Sequence, residues 1–437
     1  MSAPPSRASI AGTPTNAQAK AGFGALWDYA VGLLGGDATA PAPTAAEKLA
    51  ARNALGVISA SGIFYKTDPS TVAFTKTGNG TATVKAGTMV DVWGTTVTFS
   101  AATNIVMPAL TSGTDYAIYA CADGTIRADA STSAPSGYTT ANSRKIGGFH
   151  YAPGGNAAAM AGGDTTVQIN AFSFWDLNFR PSCPDPRGMT LVADAFWADI
   201  YLLGVDHLVN GTSKFNVTIA DGASPPRVPT KFGGNGTTTY STLTWWEAAE
   251  VLAHHDKRLP TYQEFAALAY GSTEASSGGT DPVSTILRAA YTSKWGVMLA
   301  TGNLWTWGDE FGGGAASAAW TANTNGRGST YQMENAVLFG GAWDYGAISG
   351  SRCSAWGYSP TNSNSNISAR GVCEDMESAQ PALCQRYGLA GRPSTVWSAV
   401  WSRFGKHLWG FGKTTSSQRE LVKVVSGFHL PRGHCHG

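Results

Sequence analysis

The chain has 437 residues, enough for about three domains at ~150 residues each. Only 14% of them are charged, well under the usual ~25%, and the formal net charge is +1, so no global field recruits nucleic acid or a membrane surface. The six Cys are scattered without a CxxC pair, which excludes a disulfide framework at this length and fits cytoplasmic synthesis with free thiols. The 53 Gly and 15 Trp suit a β-rich, loop-rich extracellular or virion protein more than a helical cytosolic enzyme. No run approaches the ~20 apolar residues of a membrane span. The first apolar segment lacks the basic start and cleavage site of a signal peptide, so if the protein acts outside cells, release by lysis is expected rather than secretion.

Residues 1–60 read as a helical attachment or trimerisation segment. Met1 to Thr15 is rich in Ser, Pro and Ala. Asn16 is placed to cap a helix on which Phe23, Leu26, Trp27, Ala30, Val31 and Leu34 form one apolar face, ended by Gly35-Gly36. After a Pro/Ala linker, Thr44 and Glu47 form a capping box that opens a second helix. Two short amphipathic helices cannot bury such a face alone. Their partner is expected to be another copy of the chain, a different protein, or the neighbouring domain.

Residues 61–175 alternate apolar and polar side chains over Thr71–Thr75, Thr81–Lys85, Met89–Trp93, Thr95–Phe99, Tyr116–Cys121 and Thr125–Ala128. Turn signals, notably Asn79-Gly80 and Asp123-Gly124, separate these runs. Short strands at this spacing predict an all-β sandwich or barrel. His150 falls in a strand-like segment and is expected to be packed rather than catalytic.

Residues 176–375 open with two helices that have readable starts. Thr244 and Glu247 cap one running to about His255, and Thr261 and Glu264, after Pro260, cap one ending near Gly271. Arg258-Leu259-Pro260-Thr261 with Glu264-Phe265, then Asn303 to Gly308 (NLWTWG), then Gly340 to Trp343 (GGAW), occur in order. These motifs resemble those of the C-type lectin folds that include formylglycine-generating enzymes. The expected fold class is therefore α+β, mostly β: an N-terminal helical segment, a β-sandwich domain and a C-terminal C-type lectin fold.

Within this domain Leu338 to Gly371 stands out. Trp343, Arg352, Trp356 and Arg370 sit among glycines, as a rigid frame requires. Between them lie small or polar residues with one Tyr in each run, the composition of a binding loop set as well as of an ordinary polar surface loop. Asn362, Asn364 and Asn366 alternate.

The spacing from FGGAW through GSR to ARGVC, with MPALTSGTDYAIYACADGTIRAD, GGFHYAPG and DPRGMTLVADAFWADIYLLGV before it, resembles the tropism-determinant family of phage tail-fibre receptor-binding proteins. The resemblance covers roughly residues 60 to 375. It implies a small β-sandwich that places a C-type lectin-fold receptor-binding domain, a variable region at 338–371, and homotrimers. In that family a retroelement diversifies AAC-type codons by adenine mutagenesis. The residues matching its diversified positions are Asp344, Gly346, Ala347, Ile348, Gly350, Gly357, Tyr358, Ser359, Pro360, Asn364, Asn366 and Ala369. Tyr358 is the expected energetic anchor; Tyr345, Asn362 and Ser363 adjoin the set. The resemblance also implies a host bacterial surface receptor, such as an outer-membrane protein, and a place in the virion. Two departures stand out: the family begins with a β-prism, and it ends shortly after ARGVC.

Chemistry is weighed against binding on the same residues. A formylglycine-generating-type oxidase needs a nearby pair of cysteines, and Cys353 has none close in sequence. His254 and His255 point about 100° apart on a helix and cannot share one metal, so one is expected packed and one exposed. No GxSxG, HExxH or P-loop occurs. Asp309 and Glu310 suit turn chemistry or a structural cation. The calcium-dependent sugar signatures of lectins are absent. No catalytic residue, metal or cofactor is expected; a non-phage lectin-like adhesin is the second reading.

Residues 376–437 hold eight basic residues (Arg386, Arg392, Arg403, Lys406, Lys413, Arg419, Lys423 and Arg432) against Glu377 and Glu420, with Trp397, Trp401 and Trp409 among them. This extension is expected to be an appended subdomain rather than a nucleic-acid binder. His434-Cys435-His436 sits at the terminus, where fraying is the default.

Overall fold

The computed structural model describes residues 63–152, 166–315, 320–322, 327, 329–331 and 334–376. The chain divides after Met376 into two units, and the described residues belong to the first. The two helices expected before residue 60 and the extension beyond Met376 lie outside the described residues. Among the described residues, no helix is long and apolar enough to cross a membrane.

The strands of the first half are β1 (Phe64–Tyr65), β2 (Phe74–Lys76), β3 (Ala82–Val84), β4 (Thr88–Val92), β5 (Thr95–Phe99), β6 (Thr103–Asn104), β7 (Thr114–Cys121), β8 (Ile126–Asp129), β9 (Ser143–Ala152), β10 (Gln168–Ile169) and β11 (Trp175–Asp176); the six alternating runs supply β2 to β5, β7 and β8, and the other five lie outside those runs. They form sheets ordered β1-β4-β5, β2-β3-β6 and β10-β9-β7-β8, with β11 also pairing β9. The inward side chains of all three, among them Phe74, Val84, Val90, Val97, Ile118, Ile126, Ile146 and Phe149, meet in one core. The Asp123-Gly124 turn works as its chemistry demands. The Asp123 carboxylate accepts from the Thr125 amide at 3.0 Å, and Gly124 takes φ +87°. β2 starts only at Phe74, and β3 and β4 end at Val84 and Val92, each one residue short of the expected run. Trp93 leaves β4 with φ 51° and enters the turn with Gly94, its indole donating to the Ser143 carbonyl at 3.0 Å.

His150 is packed, as its strand setting implied. Nδ1 lies 2.8 Å from Asp115 Oδ1, and Nε2 lies 2.9 Å from the Tyr201 hydroxyl. Asp115 Oδ1 also accepts from the Gly188 amide at 2.9 Å, so this buried cluster ties the β region to the chain that follows.

That chain forms β12 (Met189–Val192), β13 (Phe196–Asp199), α1 (His207–Asn210), α2 (Trp245–His254), α3 (Tyr262–Leu268), β14 (Trp305–Ala315), β15 (Trp320–Ala322), β16 (Ser329–Tyr331), β17 (Glu334–Phe339), β18 (Ser354–Tyr358), β19 (Ile367–Ser368) and β20 (Val372–Cys373). The main sheet is ordered β18-β17-β14-β19, with β19 parallel to β14; a second is β12-β13-β20. Both expected capping boxes are present at the starts of α2 and α3. The short motifs acquire physical roles. Arg258 grips both carboxylate oxygens of the capping Glu264, at 2.7 and 2.6 Å. Glu310 accepts from the Tyr262 amide at 2.8 and 3.0 Å, and so serves the same helix start. Trp305 and Trp307 of the NLWTWG motif are buried in the core between α2 and the main sheet.

The histidine expectation needs correction. Neither His254 nor His255 is fully exposed; both are half-buried, because buried His207 on α1 packs against them. His207 Nε2 meets the Arg227 carbonyl at 2.8 Å and must carry its proton there. Its Nδ1 therefore accepts from His255 Nε2 at 2.9 Å. Burial lowers the pKa of all three, that of His255 to about 3.

Candidate functional site

The segment 338–371 turns out at the end of β17, runs back along it as the edge strand β18 and ends by entering the sheet again as β19 beside β14. Gly340 and Gly341 make the departing turn with φ 91° and 82°. A Cβ at Gly341 would sit 2.2 Å from Ser349 Oγ, so only Gly fits. Trp343 then packs half-buried against the core, its amide donating to the Asn303 carbonyl at 2.9 Å and its carbonyl accepting from Ser277 Oγ at 2.7 Å.

The first run, Asp344 to Ile348, turns outward. Asp344, Ala347 and Ile348 are exposed, Ile348 to 63%. Gly346 is held by a 3.1 Å bond from its amide to Ser277 Oγ, with open space where a Cβ would stand. Tyr345 lies edge-on to Trp305, centroids 5.0 Å apart, and its hydroxyl is 3.4 Å from that of Tyr358. That contact brings the first run to the end of β18. It is also the main reason the Tyr358 phenol is pushed up to about 12, with burial and the Asp344 carboxylate adding to it.

In the second run Gly357 and Asn364 are exposed, while Tyr358, Ser359, Asn362, Ser363 and Asn366 are half-buried. Its backbone is fastened at several points. The Pro360 carbonyl accepts from the Trp245 amide at 3.1 Å, the Asn364 carbonyl from Gly222 at 3.0 Å, and the Asn366 carbonyl from Trp305 at 2.8 Å. Ser363 Oγ accepts from the Leu243 amide at 2.9 Å.

Three residues matched to diversified positions do not face outward. Gly350 is buried beside Glu274, whose Oε2 would lie 2.2 Å from a Cβ there. Pro360 is buried under its bond to the start of α2. Ala369 is 0% exposed and packs in the core behind the main sheet. Motif spacing carries alignment but no burial, which is why all twelve looked equivalent in the sequence.

The frame residues also divide. Arg370 is fully buried, and its guanidinium donates to the carbonyls of Asp199, Ile200 and Met298 at 2.8, 2.8 and 2.7 Å. Trp356 is half-buried against Tyr262 and Gly312. Arg352 is a correction: its side chain is exposed, and only its backbone serves the frame, accepting from the Tyr262 hydroxyl at 2.9 Å. It borders an open groove of about 610 Å³ with Tyr270, Trp295 and Glu274. Sequence reading missed Glu274, which takes the Ser351 amide at 2.9 Å and its hydroxyl at 2.5 Å, and Ser277. Neither belongs to a motif; only their placement reveals them. Cys353 is half-buried, and burial raises its thiol, the reverse of what a nucleophile needs. Among the described residues, no group of three His, Cys, Asp or Glu side chains is placed to hold a metal ion.

A sequence family described as Mtd second domain matches residues 72–176. The tail fiber receptor-binding protein of Bordetella phage BPP-1 is 60% identical over 322 residues, which are 72% of this chain and 84% of that protein. The chain belongs to the tropism-determinant family. Solved structures agree. The Major Tropism Determinant U1 variant shares 60% identity with a TM-score of 0.70, covering 72% of this chain and 86% of that one. The P3c variant matches at 59% and 0.70, with the same coverage of each chain. The described fold is mostly β with few helices, as in these tropism determinants.

Proposed function

We propose that this protein is the receptor-binding part of a phage tail fibre and attaches the virion to a host bacterium. The observation that carries the reading is 60% identity across 84% of a tail-fibre receptor-binding protein. In this reading residues 1–60 dock to the phage tail and hold a homotrimer, and 61–175 form a β-sandwich. Residues 176–375 are a C-type lectin-fold domain whose 338–371 segment is diversified by a retroelement, and 376–437 are an appended extension. The chain is a binder without catalysis, made in the host cytoplasm and released in the virion. Its receptor is a bacterial surface protein.

The contact set is the exposed and half-exposed part of the segment: Asp344, Gly346, Ala347, Ile348, Gly357, Tyr358, Ser359, Asn364 and Asn366. Exposed Ile348 and the rigid, amphipathic Tyr358 supply contact area at low entropic cost. The frame beneath supports this division, since its bonds run through backbone atoms, those of Trp343 among them, and through the side chains of Ser363 and Arg370. Trimeric presentation would multiply a modest single-site affinity by about 10² to 10⁴.

The test is adsorption of purified full-length protein to candidate host cells. The comparison is a variant carrying Asp344, Ile348, Tyr358, Asn364 and Asn366 all as Ala, with Trp343 and Arg370 untouched. The expected result is a cooperatively folded protein that melts a few degrees lower, because Tyr358 leaves its packing on the core, and that has lost cell binding. Equal binding by both proteins would overturn the assignment of the surface.

A further inference from the structure

Cys373 lies two residues past the segment, on β20, and has a cysteine neighbour far away in sequence. Pro181 and Asp375 form an antiparallel bridge, fixed by bonds from the Ser182 amide to the Glu374 carbonyl at 2.9 Å and from the Met376 amide to the Arg180 carbonyl at 2.7 Å. Continuing that register two residues inward sets Cys183 opposite Cys373. Both lie in one small buried cluster with Met189 and Trp197, exposed to 0% and 4%. The Cys183 thiol donates to the Asp185 carbonyl at 3.2 Å and lies 3.4 Å from Met189 Sδ, with Cys373 packed in the same cluster. The two cysteines are both free thiols.

The polar surroundings of the pair are unusual for an inert thiol core. Lys257 is buried alongside, its ammonium donating to Asp199 Oδ1 at 2.6 Å and Thr212 Oγ1 at 2.8 Å. The proximity of Cys183, with further help from that ammonium and against the effect of burial, brings the Cys373 thiol down to about 7. The proximity of Cys373 and burial push the Cys183 thiol up. Cys373 is thus set to react first, and Cys183 to resolve the product.

We infer that Cys183 and Cys373 are an oxidisable pair that closes into a disulfide when the protein meets a small-molecule disulfide. The Cys373 thiolate attacks one sulfur of the oxidant, expelling one thiolate and leaving a mixed disulfide. Cys183 loses its proton and attacks the Cys373 sulfur, releasing the second thiolate. Two protein thiols are oxidised, one low-molecular-weight disulfide is reduced to two thiols, and both protons go to the released thiolates. The crosslink would join the chain entering the lectin-fold domain to the chain leaving its variable segment. Only the occasion for oxidation, passage from cytoplasm to the outside, rests on the tail-fibre reading; the chemistry does not.

The experiment uses full-length protein, reduced, freed of reductant and incubated with oxidised glutathione. One arm is in buffer, and one is in urea below the unfolding transition, where local opening admits the oxidant. The protein is then acid-quenched, unfolded, alkylated and digested with trypsin and a Glu-specific protease, which together separate Cys373 from Cys384. The expected product is a peptide pair linked through Cys183 and Cys373, absent in Cys183→Ala and in Cys373→Ser. Oxidised protein should melt at least about 5 °C higher than reduced protein, and the rise should reverse with dithiothreitol. Full alkylation of both thiols in both arms, or links confined to other cysteines, overturns the inference. Host-cell adsorption, measured separately, decides the receptor-binding reading whichever way the thiols behave.

Discussion

The two loop runs of the 338–371 segment solve one problem in different ways. Asp344 to Ile348 projects from the frame, held at its base by Tyr345 on Trp305 and by Ser277. Gly357 to Asn366 instead lies along the fold, tied to Trp245, Leu243, Gly222 and Trp305 through main-chain atoms and one serine. In both, the backbone belongs to the scaffold while most side chains do not. Sequence change is tolerated where the fold reads only amide and carbonyl groups, and it is restricted where a side chain completes the frame.

The largest way to break this division is at the frame. Arg370→Met leaves three buried carbonyls without their donor and should cost about 3–5 kcal/mol, read as a shifted urea unfolding curve. A loss under ~1 kcal/mol would show that the guanidinium does not hold the segment. Acid is the second lever. The folded protein keeps His207, His254 and His255 neutral, with His255 down to about 3, whereas an unfolded chain protonates its histidines below about 6.5. The unfolded state then binds more protons, so this contribution is complete above about pH 6.5 and is lost as pH falls towards 3. The urea midpoint should drop between pH 7.5 and pH 5, and His255→Gln should flatten the slope.

Two glycines sharpen the contrast at smaller scale. Gly350→Ala drives a Cβ into Glu274 and should destabilise by about 1–3 kcal/mol in thermal melts. Ser363→Ala, which removes the acceptor of the Leu243 amide, should lose about 1 kcal/mol in the same measurement. Gly357→Ala, with nothing within 4 Å of its Cβ, should stay within ~0.5 kcal/mol and alter only cell binding. Equal melting of the Gly350 and Gly357 variants would dissolve the distinction between frame and surface.

Local chemistry was readable in advance. The capping boxes at Thr244 and Thr261 follow from residues three apart, and the strands around Val84, Val97 and Ile118 follow from alternation. Trp93 misled because alternation carries no sign of where a turn begins. What sequence hid was long-range placement. Arg352 and Arg370 look alike between glycines, yet one is exposed and the other fully buried. Gly350, Pro360 and Ala369 are buried by Glu274, the start of α2 and the core, none of them close in sequence. Cys183 and Cys373 meet only because the two ends of the domain run side by side.

The placement of β19 has a consequence for inheritance. Phe339 at the end of β17 pairs with Thr306, and Ile367 at the start of β19 pairs with Trp305, on opposite sides of β14. Both mouths of the segment therefore open at one end of the same strand, about 10 Å apart at two strand spacings. What lies between them is fastened to the rest of the chain at β18, Trp343, Gly350 and Pro360, and only side chains that touch none of these can be exchanged without renegotiating the fold.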